Sequence, residues 1–272
     1  MSTEPSQKKP SARPGALISL AYGAGVLALW FAVTQAELLP AYLLPSPMAV
    51  LERFWKAPSG FLHAAWLTMR TALAALFAAV LGGVALGAVA TRSPLLERIV
   101  YPPLAALQVT PVIVLAPLVV IFVPTSFLQG VLLAFLVAFF PMVTATISGI
   151  RSVDPRLADL FRLYGASGHK RLWLLELAHA RGEIAGALRV AGGLSLIGAV
   201  VAEFAATSHA GGLAARLYEA TYRLDMASAF TALLLVIVLG LFLQLVLGMA
   251  GRLLLSPWHP SVRASGTVIT PS

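Results

Sequence analysis

Residues 126–149 read SFLQGVLLAFLVAFFPMVTATISG, an apolar run that contains no charged side chain. With a rise of about 1.5 Å per residue, an α-helix needs about 20 residues to cross the roughly 30 Å hydrocarbon core of a bilayer. This run therefore predicts a membrane-spanning helix. The rest of the chain has the same character, since 59% of its 272 residues are hydrophobic, 11% are charged and the mean hydropathy is +0.87. Such a composition excludes a water-soluble protein.

Five further apolar runs flank this one, so the sequence predicts an all-α integral membrane protein with six transmembrane helices. The six predicted spans are residues 15–35, 64–90, 103–123, 126–149, 182–206 and 226–255. They form one transmembrane domain, residues 15–255, between an N-terminal tail (1–14) and a C-terminal tail (256–272). The first run is longer than the apolar region of a cleavable signal peptide and ends in Glu37-Leu38-Leu39-Pro40 in place of a small-residue cleavage pattern, so we expect it to remain as a span.

The distribution of basic residues predicts the orientation of these spans. Fourteen Lys and Arg residues lie in the two tails and the loops on one side, against four on the other side. Cytoplasmic loops carry the excess of Lys and Arg in membrane proteins. Both tails are therefore expected in the cytoplasm, in a bacterial-type inner (cell) membrane. The net charge of +8 is mainly a topology signal, and no nucleic-acid partner is expected.

The outer loop between the first two spans is expected to hold a short amphipathic helix. Ser46 and Pro47 are suited to its N-cap and first position. Apolar residues from Val50 to Trp55 share one face, whereas charged residues take the other. Such a helix either lies in the membrane interface or covers the bundle as a lid.

The longest cytoplasmic loop, residues 151–181, is patterned as two short helices that meet at a glycine turn. Asp154 and Pro155 supply an N-cap and a first-turn proline. Apolar residues then recur at helical spacing as far as Tyr164, with charged residues opposite. Gly165 has the position of a left-handed C-cap, and Ser167 can cap the second helix. We expect an apolar underside resting on the bundle and an outer side that is touched from the cytoplasm.

At these residues the chain resembles the inner-membrane permease subunits of binding-protein-dependent ABC importers. The cytoplasmic signature of that family is Glu-Ala-Ala, three residues, Gly, nine residues and Ile-x-Leu-Pro. Here Asp159-Leu160-Phe161 stands at the first position, Gly165 at the glycine and Leu175-Glu176-Leu177-Ala178 at the end. The chain departs from the signature at Asp-Leu-Phe and at Ala178, which replaces the proline.

Other segments resemble the nitrate, sulfonate and taurine branch of this family. They are LPSPMAV (44–50), Phe140-Pro141, GIRSVDPRL (149–157), Gly165-Ala166-Ser167 and VAEF (201–204). The resemblance covers about residues 43–255, in order and at the expected spacing. It implies a type I ABC importer permease fold, with dimers of six-helix subunits and transport by alternating access.

The resemblance also implies the partners and the residues that meet them. The expected partners are a cytoplasmic ABC ATPase dimer, an extracytoplasmic solute-binding protein, a second permease copy in a homodimer, and membrane lipid. The ATPase-coupling residues would be Asp159, Leu160, Phe161, Gly165, Ala166, Ser167, Leu175 and Leu177. The chain would not be an enzyme and would hold no cofactor, because ATP and Mg would be bound by the partner ATPase. No Gly-x-x-x-x-Gly-Lys-Ser/Thr run is present in the sequence.

Polar residues within the spans are candidates for the translocation path. They are Gln108, Thr110, Thr144, Ser195, Glu203 and Arg70. Gln108 and Thr110 precede Pro111, and transporters often expose backbone to a cavity at such breaks. The alternative to a path is a structural role, in which each threonine hydroxyl hydrogen-bonds the backbone carbonyl four residues earlier in its helix.

Arg70 and Glu203 are expected at similar depth, near the outer ends of the second and fifth spans. A single charge at the centre of a span costs about 2.5 kcal/mol or more on insertion scales, so we expect the two to pair. Contact with the substrate, or a gate, is the alternative. A membrane enzyme that uses Glu203 would need a partner acid or His at the same depth, and the sequence offers none.

Glycines in the spans, and the histidines, are interpreted structurally. Gly83-x-x-x-Gly87, Gly192-Gly193 and Gly198 permit close helix packing, with contact between two copies as the alternative. The five His residues have no metal-ligand spacing. The expected cargo is a small sulfonate-, nitrate- or taurine-like anion. A thiamine-pyrimidine precursor, riboflavin or another heterocycle is the alternative.

Overall fold

The structure is a computed structural model that describes residues 13–205 and 211–255, and all of its regular elements are helical. The helices are α1 Arg13–Gln35, α2 Pro47–Lys56, α3 Pro58–Ala90, α4 Pro94–Val109, α5 Val112–Phe122, α6 Ser126–Arg151, α7 Pro155–Leu163, α8 Gly168–Arg171, α9 Leu177–Ala205, α10 Leu213–Tyr222 and α11 Met226–Leu255. A π-helical segment, Leu172–Glu176, joins α8 to α9. Most of the predicted N-terminal tail, the predicted C-terminal tail (256–272) and the end of the fifth span at residue 206 lie outside the described residues.

Four helical stretches of the described chain are long and apolar enough to cross a membrane. They are α3, α6, the continuous stretch Gly168–Ala205 and Met226–Leu253 of α11. The bent pair of α4 and α5 makes a fifth if it is one crossing, and α1 contributes a shorter apolar helix, Ala21–Gln35. The all-helical membrane fold is confirmed, and each of the six predicted spans corresponds to one of these elements.

The third predicted span, 103–123, is not a single straight helix. α4 and α5 are bent by 102° where Thr110 and Pro111 separate them. Proline has no backbone N–H to continue a helix, and it also drives the preceding residue into an extended conformation. Thr110 accordingly has a ψ of 121°. The break therefore has a local cause in the sequence.

The broken pair follows α6 along its whole length. At one end, Glu97 in the first turn of α4 forms an ion pair with Arg151, the last residue of α6. At the other end, the Nε2 of Gln129 in α6 donates a hydrogen bond of 2.7 Å to the carbonyl oxygen of Val123, which follows α5. α4 and α5 thus run together from one end of the bundle to the other, as a broken crossing does.

The core forms where α3, α6 and α9 pack through small residues. Fully buried alanines in this core are Ala72, Ala75, Ala79, Ala134, Ala138, Ala191 and Ala199. A Cβ on Gly83 would lie 2.5 Å from the Cβ of Met142, and one on Gly198 would lie 2.5 Å from the Cα of Ala134. These glycines let the helix backbones approach closely, which confirms the packing interpretation for both positions.

Several helices continue past the apolar runs that the sequence predicted as spans. α3 begins at Pro58, before the predicted start at residue 64. The helix that contains the fifth predicted span begins at Gly168, before residue 182, since no proline interrupts the chain between Ser167 and the core of α9. The second helix of the long loop is therefore the start of a spanning helix. Sequence reasoning also missed α10.

The predicted helix in the first outer loop is present as α2. The hydroxyl oxygen of Ser46 accepts a hydrogen bond of 3.2 Å from the N–H of Ala49, as an N-cap does. Val50 is buried, but Trp55 remains 67% exposed. The apolar residues of α2 therefore do not all face inward, and the helix both covers the bundle and presents an apolar side outward.

Candidate functional site

The turn between α7 and α8 is built by its capping residues. The carboxylate of Asp154 accepts the N–H of Arg156 at 2.8 Å and starts α7. Gly165 ends it with a φ of +67°, and the N–H of Ala166 then donates to the carbonyl oxygen of Phe161 at 3.0 Å. A side chain at Gly165 would meet no atom within 4 Å. Glycine is favoured there by the backbone conformation and by nothing else.

The apolar side of α7 faces solvent. The helix has no buried residue. Leu160 is 45% and Tyr164 83% exposed. The expected apolar underside resting on the bundle is therefore wrong, because no side chain of α7 is buried against the core. An exposed apolar face on a charged surface marks a contact site for another molecule.

The remaining coupling candidates lie around this turn. Asp159 and Arg162 form an ion pair of 3.3 Å with both side chains about two-thirds exposed, so the pair contributes little stability. The hydroxyl oxygen of Ser167 accepts the N–H of Lys170 at 3.4 Å and caps α8. Leu175 is half-buried. Leu177 packs beside the small cluster of Ala88, Ile150 and Ala180.

A buried carboxylate that sequence reasoning missed fixes this region to the bundle. Glu176, at the end of the π-helical segment, is only 7% exposed. It forms ion pairs with Arg92, which follows α3, and with Arg171, whose Nε lies 2.8 Å from the carboxylate. A π-bulge inserts a residue and re-aims side chains. In the sequence, the feature that could have revealed this buried carboxylate is a single Glu within the otherwise apolar run LWLLELA.

A cleft of 410 Å³ opens beside the break between α4 and α5. Its lining includes Gln108, Thr110, Pro111, Phe140 and Pro141. Gln108 is exposed, and Thr110 is half-buried with its hydroxyl donating to the carbonyl oxygen of Ala106 at 2.7 Å. The structure thus brings two path candidates to one cleft, together with the helix-breaking Pro111 and with Pro141, which lies inside α6.

Two other path candidates do not line this cleft. The hydroxyl of Thr144 donates to the carbonyl oxygens of Phe140 at 3.1 Å and Pro141 at 3.2 Å, the local bonding weighed as the alternative. Ser195 is fully buried and donates to the carbonyl oxygen of Gly192 at 2.9 Å. Both hydroxyls are satisfied within their own helices.

Arg70 and Glu203 line a shared cavity of 250 Å³ but do not form an ion pair. The Arg70 guanidinium lies 5.0 Å from the ring centre of Phe127. The buried carboxylate of Glu203 accepts the N–H of Ala214, in the first turn of α10, at 2.9 Å. The expected pairing is therefore wrong. The free N–H groups and the positive end of the α10 dipole supply the stabilisation that an arginine would have given.

At the same end of the bundle, Asp225 ties α2 to the start of α11. Its carboxylate lies 2.9 Å from Nη2 of Arg53 and accepts the N–H of Ser228 at 3.1 Å and its hydroxyl at 2.7 Å. Partial burial alone would raise the pKa of Asp225. The Ser228 hydrogen bonds and the Arg53 charge outweigh it and hold the pKa below its ordinary value. Asp225 is thus ionised and structural.

These features define a multi-span helical membrane protein with a broken crossing, a cleft beside the break and an exposed turn between α7 and α8, the class to which transport permeases belong. The chain belongs to the family described as binding-protein-dependent transport system inner membrane component, which matches residues 79–254. It is an inner-membrane permease component of a binding-protein-dependent ABC importer.

Two curated relatives agree with this membership over nearly the whole chain, and a third agrees over 60% of it. The riboflavin transport system permease protein RibX of Chloroflexus aurantiacus is 33% identical, over 87% of this chain and 88% of its own length. The taurine transport system permease protein TauC of Escherichia coli K12 is 29% identical, over 90% of this chain and 91% of its own. The formylaminopyrimidine transport permease protein ThiX of Halalkalibacterium halodurans is 31% identical, over 60% and 66%.

A solved structure shares the fold. A chain of the inward-facing MetNI methionine ABC transporter superposes with a TM-score of 0.63 at 17% sequence identity, and the match covers 71% of this chain and 95% of that chain. The relatives are permease subunits and not enzymes, and the ATPase of such importers is a separate subunit. The expectations of family, fold class and non-enzymatic role are confirmed.

Proposed function

We propose that this permease carries a small solute, delivered by an extracytoplasmic binding protein, through a path formed with a second copy of the chain, and that α7 couples it to a cytoplasmic ATPase. Both termini lie in the cytoplasm in this proposal, because the side with fourteen basic residues also carries α7. ATP and Mg are held by the ATPase and not by this chain.

The exposed apolar face of α7 is the observation that carries the proposal. Leu157 and Leu160 are each more than 40% exposed on a helix that is capped at both ends. Such a face gains free energy when a groove of another protein covers it, at about 25 cal/mol per Å². Behind it, Glu176 fixes the following helix to the end of α3 through Arg92. A movement of α7 is thereby passed to a spanning helix.

The path is proposed to run past the break between α4 and α5. An irregular backbone segment is not stable against lipid, so it must face protein or a water-filled cavity. Gln108 and Thr110 provide polar groups there, and the second copy would close the cleft. Arg70, in the cavity it shares with Glu203, is proposed as an outer part of the same path.

The substrate is proposed to be a small sulfonate-, nitrate- or taurine-like anion. The taurine permease of Escherichia coli aligns over nearly the whole chain, and Arg70 has no carboxylate partner within the described chain. The riboflavin and formylaminopyrimidine permeases are similar at comparable identity, so an aromatic heterocycle is the second candidate. Ligand-induced thermal shifts of the cognate binding protein, with taurine and riboflavin as probes, would separate the two.

The coupling role is tested by changing the face of α7. Leu160→Asp places a charge on the apolar face, and we expect it to abolish co-purification of the co-expressed ATPase. Asp159→Lys should reduce the amount of ATPase that co-purifies. The matched control is Leu39→Asp, because Leu39 has almost the same exposure, 46% against 45%, and lies between α1 and α2. Retention of the ATPase by Leu160→Asp at the control level would show that α7 is not the docking element.

A further inference from the structure

A pocket of 470 Å³ lies where α4 begins, beside the end of α6. It is lined by Pro94, Glu97, Arg98, Tyr101, Pro102 and Arg151. None of these residues belongs to the turn between α7 and α8, to the cleft beside the break between α4 and α5, or to the cavity that Arg70 and Glu203 share. The pocket sits at the level where two membrane-embedded helices reach the surface, because Arg151 is the last residue of α6.

The charges of this pocket leave one cation uncompensated. Arg151 and Glu97 form an ion pair. Arg98 is exposed and makes no ion pair or hydrogen bond within residues 13–205 and 211–255. The three charged residues therefore sum to +1. This net charge would balance the single negative charge of a phosphodiester.

The surroundings of Arg98 are apolar and face outward. Leu95 is 66% and Ile99 60% exposed, and Pro102 lies one turn further along the same side of α4. Tyr101, 54% exposed, brings a phenol hydroxyl to the pocket. Aromatic residues with a polar tip concentrate at the level of lipid headgroups. An acidic loop of a soluble partner would have to bury these apolar side chains without contacts of their own kind, whereas acyl chains supply them.

We propose that this pocket binds the headgroup phosphate of an anionic phospholipid. The guanidinium of Arg98 pairs with the phosphate, and the Tyr101 hydroxyl donates a further hydrogen bond. The acyl chains lie along Leu95 and Ile99. Basic pockets between spanning helices at the cytoplasmic surface are suited to such headgroups. The bound lipid would fill the space between the start of α4 and the end of α6, next to the Glu97–Arg151 pair.

Native mass spectrometry of the full-length permease tests the proposal. The protein is released from nanodiscs that contain phosphatidylcholine with phosphatidylglycerol at equal fraction. We expect the wild type to retain phosphatidylglycerol preferentially, and Arg98→Gln to reduce that retention about fivefold, as an arginine near an anionic surface contributes about 1 kcal/mol. Arg98→Lys should keep most of it.

Arg223→Gln is the matched control, because Arg223 is an exposed arginine at the other end of the bundle, paired with Glu219. Equal retention of the two lipids by the wild type, or an equal loss in Arg98→Gln and Arg223→Gln, would overturn the proposal. Inorganic phosphate and glycerol phosphate form a second arm. Displacement of the lipid by either at millimolar concentration would show a free-phosphate site in place of a lipid site.

Discussion

Glu203 shows how a buried carboxylate in a spanning helix is stabilised without a basic partner. It accepts the N–H of Ala214 at 2.9 Å, and its carboxyl group occupies the space where a Cβ of Gly212 would be. The charge and the close glycine together fix the start of α10 against α9. Sequence reasoning found the residue by its rarity but assigned the wrong partner, since its donors include backbone N–H groups of a helix it had not predicted.

The Glu203 contact predicts a graded response to substitution. Glu203→Ala leaves the Ala214 N–H buried without an acceptor, and we expect a loss of about 1–3 kcal/mol in unfolding free energy. Glu203→Gln keeps an acceptor of nearly the same shape and should lose less. Thermal unfolding in detergent measures both. Glu183→Gln, an exposed glutamate on the same helix, is the control, and equal midpoints for Glu203→Ala and this control would refute the anchoring role.

At the scale of the helix, local capping signals were the most reliable guide. Ser46, Asp154 and Ser167 each cap the helix that the sequence assigned to them, and Gly165 adopts the expected positive φ. These features depend on residues a few positions apart, so they can be read from the sequence. The contacts under α7 instead depend on how α6 and α9 pack, and these helices include residues far away in the sequence. The expectation that the apolar side of α7 rests on the bundle was wrong.

The turn between α7 and α8 offers a matched pair of glycines. Gly165 has a φ of +67°, whereas Gly168 shows no positive φ, and an added Cβ would meet no atom within 4 Å at either position. Gly165→Ala should therefore strain the turn by about 1 kcal/mol, and Gly168→Ala should not. We expect faster amide hydrogen exchange at residues 155–167 only in Gly165→Ala. Equal exchange in both variants would mean that the turn tolerates a side chain.

For the whole molecule, hydrophobic run length predicted the class, because crossing the bilayer depends on length and composition. It did not predict the 102° bend between α4 and α5, although Pro111 marked its place. Nor did it predict that Glu176 would join the end of α3 to the helix after the α7–α8 turn, because that contact spans residues far apart in the sequence. The path candidates separate for the same reason, with Gln108 at a cleft and Ser195 in the core.

The absence of cysteine from the chain makes this separation measurable. Gln108→Cys places a single thiol at the exposed cleft, and Ser195→Cys places one at a fully buried position of similar size. In membrane vesicles we expect a charged methanethiosulfonate reagent to modify Gln108→Cys at least about tenfold faster, since only the ionised thiol in contact with water reacts readily. If Gln108→Cys reacted with a lipid-soluble maleimide but not with the charged reagent, the cleft would face acyl chains and the path would lie elsewhere. Thr110→Cys should follow Gln108→Cys, because both positions line the same cleft.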